Sequence, residues 1–477
     1  MSLERIKNST FRTVLQPTLE YALQFLEGLD TAPVYPTVTL SHLHQQLDKP
    51  LPNDETDGKQ VLEEIITSTR GGMMGNAGGR FFAWAIGGTL PAALAADWLT
   101  STWNQNAALS ACSPAAAVTE EICGRWLKDI LGLPSTASFA LVSGCQMAHV
   151  TCLAAARNRI LARYSWDHEL YGLTGAPRIK VLSSSERHGS IDRAVRLLGM
   201  GSRSVVELPV DDNGCLVAQA LNRALAEYSH GPVIVVLQAG DLNIGAYDPF
   251  SELIHLVHRR GAWVHIDGAF GLWAAASPAY RHLLEGVDLA DSWATDGHKW
   301  LNVPYDCGYA FVRHPDAHKN SMSYRANYLT HQELVRDQID WNPEWSRRGR
   351  SFATYAALRQ LGKSGVALLI ERCCRHAQSL VVQVAALPGA ELVWKPTVNQ
   401  GLVRFLDSKD NAALADHNLW TDSVISAVAQ TGEAFFSGTT WRGKRCMRVS
   451  VLNWQTSTED VARAVEAIKR VLEQGRS

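Results

Sequence analysis

From residue 137 onward the chain alternates short apolar runs with longer amphipathic ones. The runs at 137–142, 179–183, 204–208, 233–238, 262–267 and 309–312 have the length and branched, apolar content of buried strands. Between them lie stretches of helical periodicity, such as 251–260, which Gly261 is placed to terminate. A long alanine-rich helix is expected over about 147–163. Strand–helix alternation of this kind predicts an α/β fold, a mostly parallel sheet covered by helices on both faces. Ligands of such sheets bind beyond the carboxyl ends of the strands. Residues just after the apolar runs are therefore the first place to look for chemistry.

Both ends of the chain read differently. A helix is expected over 17–27, with Pro17 in its first turn, Leu19, Ala22, Leu23 and Leu26 as an apolar stripe, and Gly28 at its end. Residues 31–59 read as an extended connection, and 90–130 as helical. Residues 320–350 are polar and aromatic without a clean period, which suits a long mobile loop or lid. Helix resumes over 351–374. Strands are expected near 391–394, 401–406 and 447–452. A closing helix starts at Thr458, where Ser457 and Asp460 form a capping box and Val461, Val465, Ile468 and Leu472 an apolar stripe. The expected organisation is an N-terminal helical segment (1–90), a large domain (91–365) and a small C-terminal α+β domain (366–477).

Composition narrows the function classes. The 477 residues include 46% hydrophobic and 19% charged side chains, enough for a sizeable core. A net charge of −2 offers no electrostatic case for nucleic acid or an acidic membrane surface. No apolar stretch approaches the roughly 18 residues of a membrane span, and MSLERIKNSTFR lacks the apolar core of a signal peptide. Nine cysteines without a CxxC pair fit reduced thiols in a cytoplasmic protein rather than disulfides or a metal site. Adjacent Cys373 and Cys374 read as ordinary helix residues.

The chemistry concentrates at residues 290–300, ADSWATDGHKW. The run ending in His265-Ile266-Asp267 closes on a carboxylate, and Lys299 follows 32 positions later, after Asp-Gly-His. A lysine can form a Schiff base with the aldehyde of pyridoxal 5'-phosphate (PLP). A carboxylate against the coenzyme's pyridine nitrogen favours the protonated form. Either residue alone is more commonly a surface lysine or a strand-end aspartate; together they point to a PLP site. Ser143-Gly144-Cys145-Gln146, between a strand and a helix, is a natural phosphate cradle, although any α/β protein has several such turns. The glycine-rich segment 71–79 lacks the GK[ST] ending of a nucleotide loop. It fits a substrate-pocket wall or a tight turn under an aromatic cluster equally well, and Phe82 and Trp84 beyond it are candidate substrate contacts or core. Arg347, Arg348 and Arg350 are more often a solvated or interface patch than a ligand clamp.

The motifs SGCQMAH, SERHGSIDRA, HIDGAFG and TDGHKW together resemble the group II PLP-dependent decarboxylases, which include aromatic-amino-acid, histidine and glutamate decarboxylases. The likeness extends from about residue 70 to the VSVLNW segment. It implies a type I PLP-dependent transferase fold in an obligate homodimer, with the N-terminal helical segment packed on the partner. It also implies that Lys299 carries the coenzyme, Asp267 pairs with the pyridine nitrogen, His188 stacks on the ring and Ala269 packs on the opposite face. Gly144, Cys145 and Gln146, with Asp296 and His298, would hold the phosphate, and Tyr328 matches the catalytic-loop tyrosine.

The chain departs from the family where relatives often carry Gly-Ser-Ala-Ser at the phosphate loop, so Gln146 must replace a serine hydroxyl. Gly240-Asp241-Leu242-Asn243 stands where Gly-Thr-Thr is common, and no role is carried onto Asp241. Gly78-Gly79 replaces the usual His-Pro. The expected reaction is decarboxylation of an L-amino acid to the amine and CO2, with His188 orienting the substrate and Tyr328 returning a proton to Cα. Oxidative deamination to an aldehyde, transamination or retro-aldol cleavage on the same scaffold is the alternative, which product analysis separates. A non-catalytic relative is a third reading, disfavoured because a dead site has no need of Asp267, Lys299 and His188 together.

Overall fold

A computed structural model of the chain describes residues 11–324, 336–409 and 411–475. Seven strands form the main sheet: β1 (Ser138–Val142), β2 (Lys180–Ser184), β3 (Val205–Leu208), β4 (Val233–Gln238), β5 (Trp263–Asp267), β6 (Ser292–Asp296) and β7 (Gly308–Val312). Their spatial order is β1-β7-β6-β5-β4-β2-β3, and only β7 runs against its neighbours. The fold is the expected mostly parallel α/β sheet. Alternation along β4 explains its two-sided burial. Val233, Val235 and Leu237 enter one apolar cluster, while Ile234 and Val236 enter the other, packed beneath the helix Cys145–Ala162.

Register places the site. Val142 of β1 and Asp296 of β6 both sit opposite Gly308 of β7, on either side of it. A Cβ on Gly308 would collide with the backbone of Gly144, so glycine is required for β1 and β6 to deliver their ends to one point. Asp267 likewise pairs with Gln238 on one side and Ala294 on the other. The carboxyl ends of β1, β4, β5 and β6 therefore share one edge of the sheet.

Several elements differ from the expectations. β6 lies within residues 290–300 and reads poorly as a strand, because Ser292 and Asp296 turn polar groups inward. The N-terminal helix begins at Phe11, with Pro17 inside it, and none of its residues is buried. Thr18 donates its hydroxyl to the Val14 carbonyl at 2.9 Å, a local bond in the turn that proline interrupts. Residues 31–59 contain a helix at Leu40–Leu47, and the long helix Ser351–Ala385 crosses the expected 365/366 division, kinked at Gly362 with φ of 61°. The C-terminal part holds an antiparallel sheet of β8 (Ala390–Trp394), β9 (Gln400–Phe405), β10 (Ser437–Trp441) and β11 (Lys444–Ser450), ordered β10-β11-β9-β8. The closing helix Thr458–Gln474 carries the expected capping box between Ser457 and Asp460.

Candidate active site

Asp267 ends β5 as a buried carboxylate. Burial alone would raise its pKa, but His149, His188, Lys299 and the Ala269 N–H outweigh it and hold the group below its ordinary value. The Ala269 N–H reaches Oδ1 at 3.2 Å, and His149 Nε2 lies 3.5 Å from the same oxygen. A carboxylate kept ionised in a buried position, with no arginine or lysine bonded to it among the described residues, is suited to a cationic ring nitrogen.

The strand-end turn after β6 carries Asp296, His298 and Lys299. Asp296 Oδ1 accepts the Cys145 N–H at 2.7 Å, so this carboxylate caps the helix Cys145–Ala162, which has no cap from its own Gly144. Burial pushes Asp296 up to about 7, against the pull of Lys299 and the Cys145 N–H. The His298 ring lies against that of Tyr305, tilted by 32° with centroids 4.1 Å apart, and burial, reinforced by Lys299, lowers its pKa to about 3. Its buried Nδ1 has no hydrogen-bond partner among the described residues. Lys299 is half-buried, its Nζ 5.6 Å from the centre of the Phe270 ring.

The backbone under Lys299 is clamped from three sides. Gly87 donates its N–H to the His298 carbonyl at 3.1 Å. Asn302, in the left-handed region at φ of 53°, accepts the Gly88 N–H at 2.7 Å and the Trp454 N–H at 3.0 Å. Its amide donates to the carbonyls of Lys299, Trp300 and Leu452 at 3.2, 3.0 and 2.9 Å. The lysine turn, the segment after Trp84 and the C-terminal sheet are thus tied together by one side chain. Sequence reasoning missed Asn302, although an asparagine three residues after the lysine, in a turn, is a local signal.

His188 follows β2, exposed on one side, and caps the helix Gly189–Leu197 by accepting the Ser190 N–H on Nδ1 at 3.2 Å. Burial of its other side, with Lys299 and Arg448, lowers its pKa against the pull of Asp267. Ala269 is half-buried, and its carbonyl accepts the Asp296 N–H at 3.0 Å. Gln146 donates to the Ser190 carbonyl at 3.2 Å, joining the helix start to the His188 turn.

Arg448 of β11 also escaped the sequence reading. It is buried, donates to the Leu242 carbonyl at 3.2 Å, and leaves Nε without a partner among the described residues. The Asp241 carboxylate accepts the N–H groups of Asn243, Ile244 and Ala246 and holds a turn, and its charge acts on Arg448. Phe82 is fully buried and stacked on Phe436, so it has no free face for a substrate. Trp84 is 51% exposed, braced edge-on by Phe435, and lies three residues before Gly87. Arg347, Arg348 and Arg350 pair with Glu120, Asp97 and Asp306, so the cluster is structural. Tyr328 lies outside the described residues.

PLP needs an amine, an anion beside its pyridine nitrogen, and donors for its phosphate. Lys299, Asp267 and the helix start at Gly144 with Gln146 fit these needs, and His298 Nδ1, 3.6 Å from Asp296 Oδ1 and without a hydrogen bond among the described residues, is a further polar group at the site. Comparison with known proteins agrees. Residues 41–406 match the family described as the pyridoxal-dependent decarboxylase conserved domain. An aromatic-L-amino-acid decarboxylase of Bacillus atrophaeus is 26% identical over 99% of this chain and 97% of its own length. A 4-hydroxyphenylacetaldehyde synthase of Rhodiola rosea is 26% identical over 88% of this chain and 86% of its own. The solved structure of Oryza sativa TDC with PLP and tryptamine superposes with a TM-score of 0.91 at 24% identity, covering 98% of each chain.

Proposed function

The chain belongs to the pyridoxal-dependent decarboxylase family, a PLP-dependent carboxy-lyase acting on an L-amino acid, and from that premise we propose an aromatic amino acid as its substrate. One observation carries the site assignment: the buried, ionised Asp267 and the lysine turn occupy adjacent strand ends, with Lys299 acting on the Asp267 charge. When bound, PLP accepts the electron pair released as CO2 leaves. The protein's own residues supply the rest. Lys299 anchors the coenzyme, and Asp267 keeps its pyridine nitrogen protonated. His188 and Ala269 hold the two faces of the ring. The helix start at Gly144, Cys145 and Gln146 binds the phosphate together with Asp296 and His298.

Arg448 is the group best suited to the substrate's carboxylate, because its buried guanidinium has an unused Nε–H and lies within electrostatic reach of His188. Trp84 supports an aromatic side chain on the substrate. It keeps half its surface exposed although Phe81 and Phe435 could cover it, and it sits in the segment that presses on Lys299. Tyr328 is proposed as the proton donor to Cα. The test is incubation with a panel of L-amino acids, measuring CO2, amine, aldehyde and keto acid. We expect amine and CO2 in equal amounts from an aromatic substrate; aldehyde with hydrogen peroxide would move the reading to the synthase type.

A homodimer is part of the proposal. Leu15, Leu19 and Leu23 form a stripe 43–54% exposed on a helix that buries nothing in its own chain, and a second copy would cover it. A cytoplasmic location is proposed from the nine free cysteines. Among the described residues no helix is long and apolar enough to cross a membrane.

A further inference from the structure

Behind Asp267 lies a file of buried polar side chains that the reaction does not directly use. Period-two alternation puts Trp263, His265 and Asp267 on one face of β5, and Ser292 of β6 stands directly opposite His265. On the helix above, His149 sits one turn after Cys145. The Trp263 indole meets Ser292 Oγ at 2.9 Å, and Ser292 Oγ meets His265 Nδ1 at 2.9 Å. His265 Nε2 meets His149 Nδ1 at 2.9 Å, and His149 Nε2 faces Asp267 Oδ1 at 3.5 Å. Both histidines are completely buried.

The carboxylate at the end of this file favours one direction. An indole N–H can only donate, so Ser292 Oγ accepts from Trp263, and its own hydroxyl hydrogen is available to His265 Nδ1 or to its other side-chain partner, Cys152. His265 then carries its proton on Nε2 and donates to His149 Nδ1, which leaves the His149 proton on Nε2. At the other end, the Asp267 carboxylate is acceptor-only when ionised and would repel a bare Nε2 lone pair. Reversing every bond would point the Nε2 lone pair at a buried carboxylate, with only the weak S–H donor of Cys145 beside it among the described residues. Burial keeps both rings neutral, lowering His265 to about 3 and pulling His149 down against the attraction of Asp267. The final 3.5 Å step is longer than an ordinary hydrogen bond and acts as an oriented dipole beside the charge. Cys145 Sγ, 3.5 Å from the same Nε2, is held as the neutral thiol by burial and by Asp296 and Asp267.

We propose that Trp263, Ser292, His265 and His149 form a one-way hydrogen-bond file that fixes an N–H toward Asp267, making the two histidines positioning residues for the partner of the coenzyme's pyridine nitrogen. The inference rests on the placement of Asp267 proposed above. The other charged or titratable groups bearing on that carboxylate are Lys299, His188, Cys145 and Asp296, and none of them contacts Oδ1 from the helix side. A metal held by Cys145, His149 and Asp267, whose ligand atoms lie within 4.8 Å of one another, would need the Nε2 lone pair that the file denies it.

The holoenzyme, labelled with 15N-histidine and loaded with pyridine-15N PLP, tests this by NMR. Long-range proton–nitrogen correlations are expected to show His149 and His265 neutral and protonated on Nε2 from pH 6 to pH 8. His149→Leu should move the coenzyme nitrogen toward its unprotonated shift and weaken PLP binding about tenfold, and His149→Gln, which restores a donor, should recover most of both. His265→Leu should release the His149 tautomer while leaving Asp267 untouched. A His149 proton on Nδ1, a doubly protonated ring, or His149→Leu with unchanged nitrogen shift and PLP affinity would each overturn the proposal. Should the His149 variants not fold, the tautomers of the unsubstituted enzyme decide alone. A coenzyme nitrogen indifferent to Asp267→Asn would overturn the placement of Asp267 itself, and this inference with it.

Discussion

Gly87 lies so close beneath Lys299 that a Cβ at position 87 would collide with the Lys299 and His298 carbonyls. The contact is backbone against backbone, so neither side can yield by rotating a side chain. The same glycine donates its N–H to the His298 carbonyl at 3.1 Å, and Gly88 donates to Asn302. The segment that carries Trp84 is therefore a floor for the lysine turn. Gly87→Ala should lose bound coenzyme at least tenfold faster on dialysis than the unsubstituted protein, with a costly repacking of about 1–3 kcal/mol in stability. Coenzyme absorbance during dialysis and thermal melts check both; unchanged retention would separate the floor from the site.

Lys299 is expected to be the residue linked to PLP. Reduction with borohydride should fix the coenzyme to one peptide, that containing Lys299, and Lys299→Ala should yield none. The far-ultraviolet spectrum of the variant should remain, because among the described residues the lysine side chain makes no hydrogen bond or ion pair, only an approach to the Phe270 ring, and Asn302 secures only its backbone. Label found on another lysine would reassign the site.

Asp296 gives the coenzyme-free protein a distinctive pH dependence. Burial raises it to about 7 in the folded state, while an unfolded aspartate titrates near ~3.9. The folded form then holds the proton more tightly. Its contribution to stability is fully present below about pH 4 and is lost as pH rises through about 7, a swing of at most about 4 kcal/mol. Asp296→Asn should flatten that part of the profile, measured by denaturant titration of stripped protein at pH 5 and pH 8. An identical slope in the two proteins would rule the group out.

Arg448→Gln should raise KM for the amino acid about 10- to 100-fold, the range expected for losing a charge-assisted hydrogen bond of about 1.5–3 kcal/mol. Coenzyme affinity should change little. An unaltered KM would return Arg448 to a structural role on Leu242.

What could be read from the sequence depended on distance along the chain. Lys299 and Asp267 were legible because each sits in a short motif whose residue types already suggest coenzyme chemistry. The capping box at Ser457 and the strand at 233–238 were legible for the same local reason. β6 was not, since its inward Ser292 and Asp296 break the apolar pattern that marks a buried strand. Phe82 and Trp84 look alike in sequence, and only the stacking of Phe82 on Phe436 distinguishes core from surface. Arg448 was invisible because it reaches the site from the C-terminal sheet, more than two hundred residues after His188. The meeting of His149 with His265 had the same obstacle: each position has a readable face, yet nothing local says that the faces touch.

Tyr328 is expected to decide which product forms. It lies outside the described residues, and its phenol chemistry carries the expectation. After CO2 leaves, Cα must receive a proton, and a phenol can supply it where phenylalanine cannot. Without a donor the electron-rich carbon can instead be oxidised by O2, and hydrolysis by water then gives aldehyde, ammonia and hydrogen peroxide in place of amine. The chain retains both Tyr328 and His188, and amine is therefore the expected product. Tyr324 is the competing donor: it is 67% exposed, with its ring 6.0 Å from that of Trp345. That exposure leaves it in contact with water, where a phenol has little advantage over solvent. Tyr328→Phe should cut amine formation at least tenfold and release aldehyde with peroxide, whereas Tyr324→Phe should change neither. Full amine output from Tyr328→Phe, with Tyr324→Phe inactive, would transfer the role to Tyr324, and full output from both would assign the proton to another group.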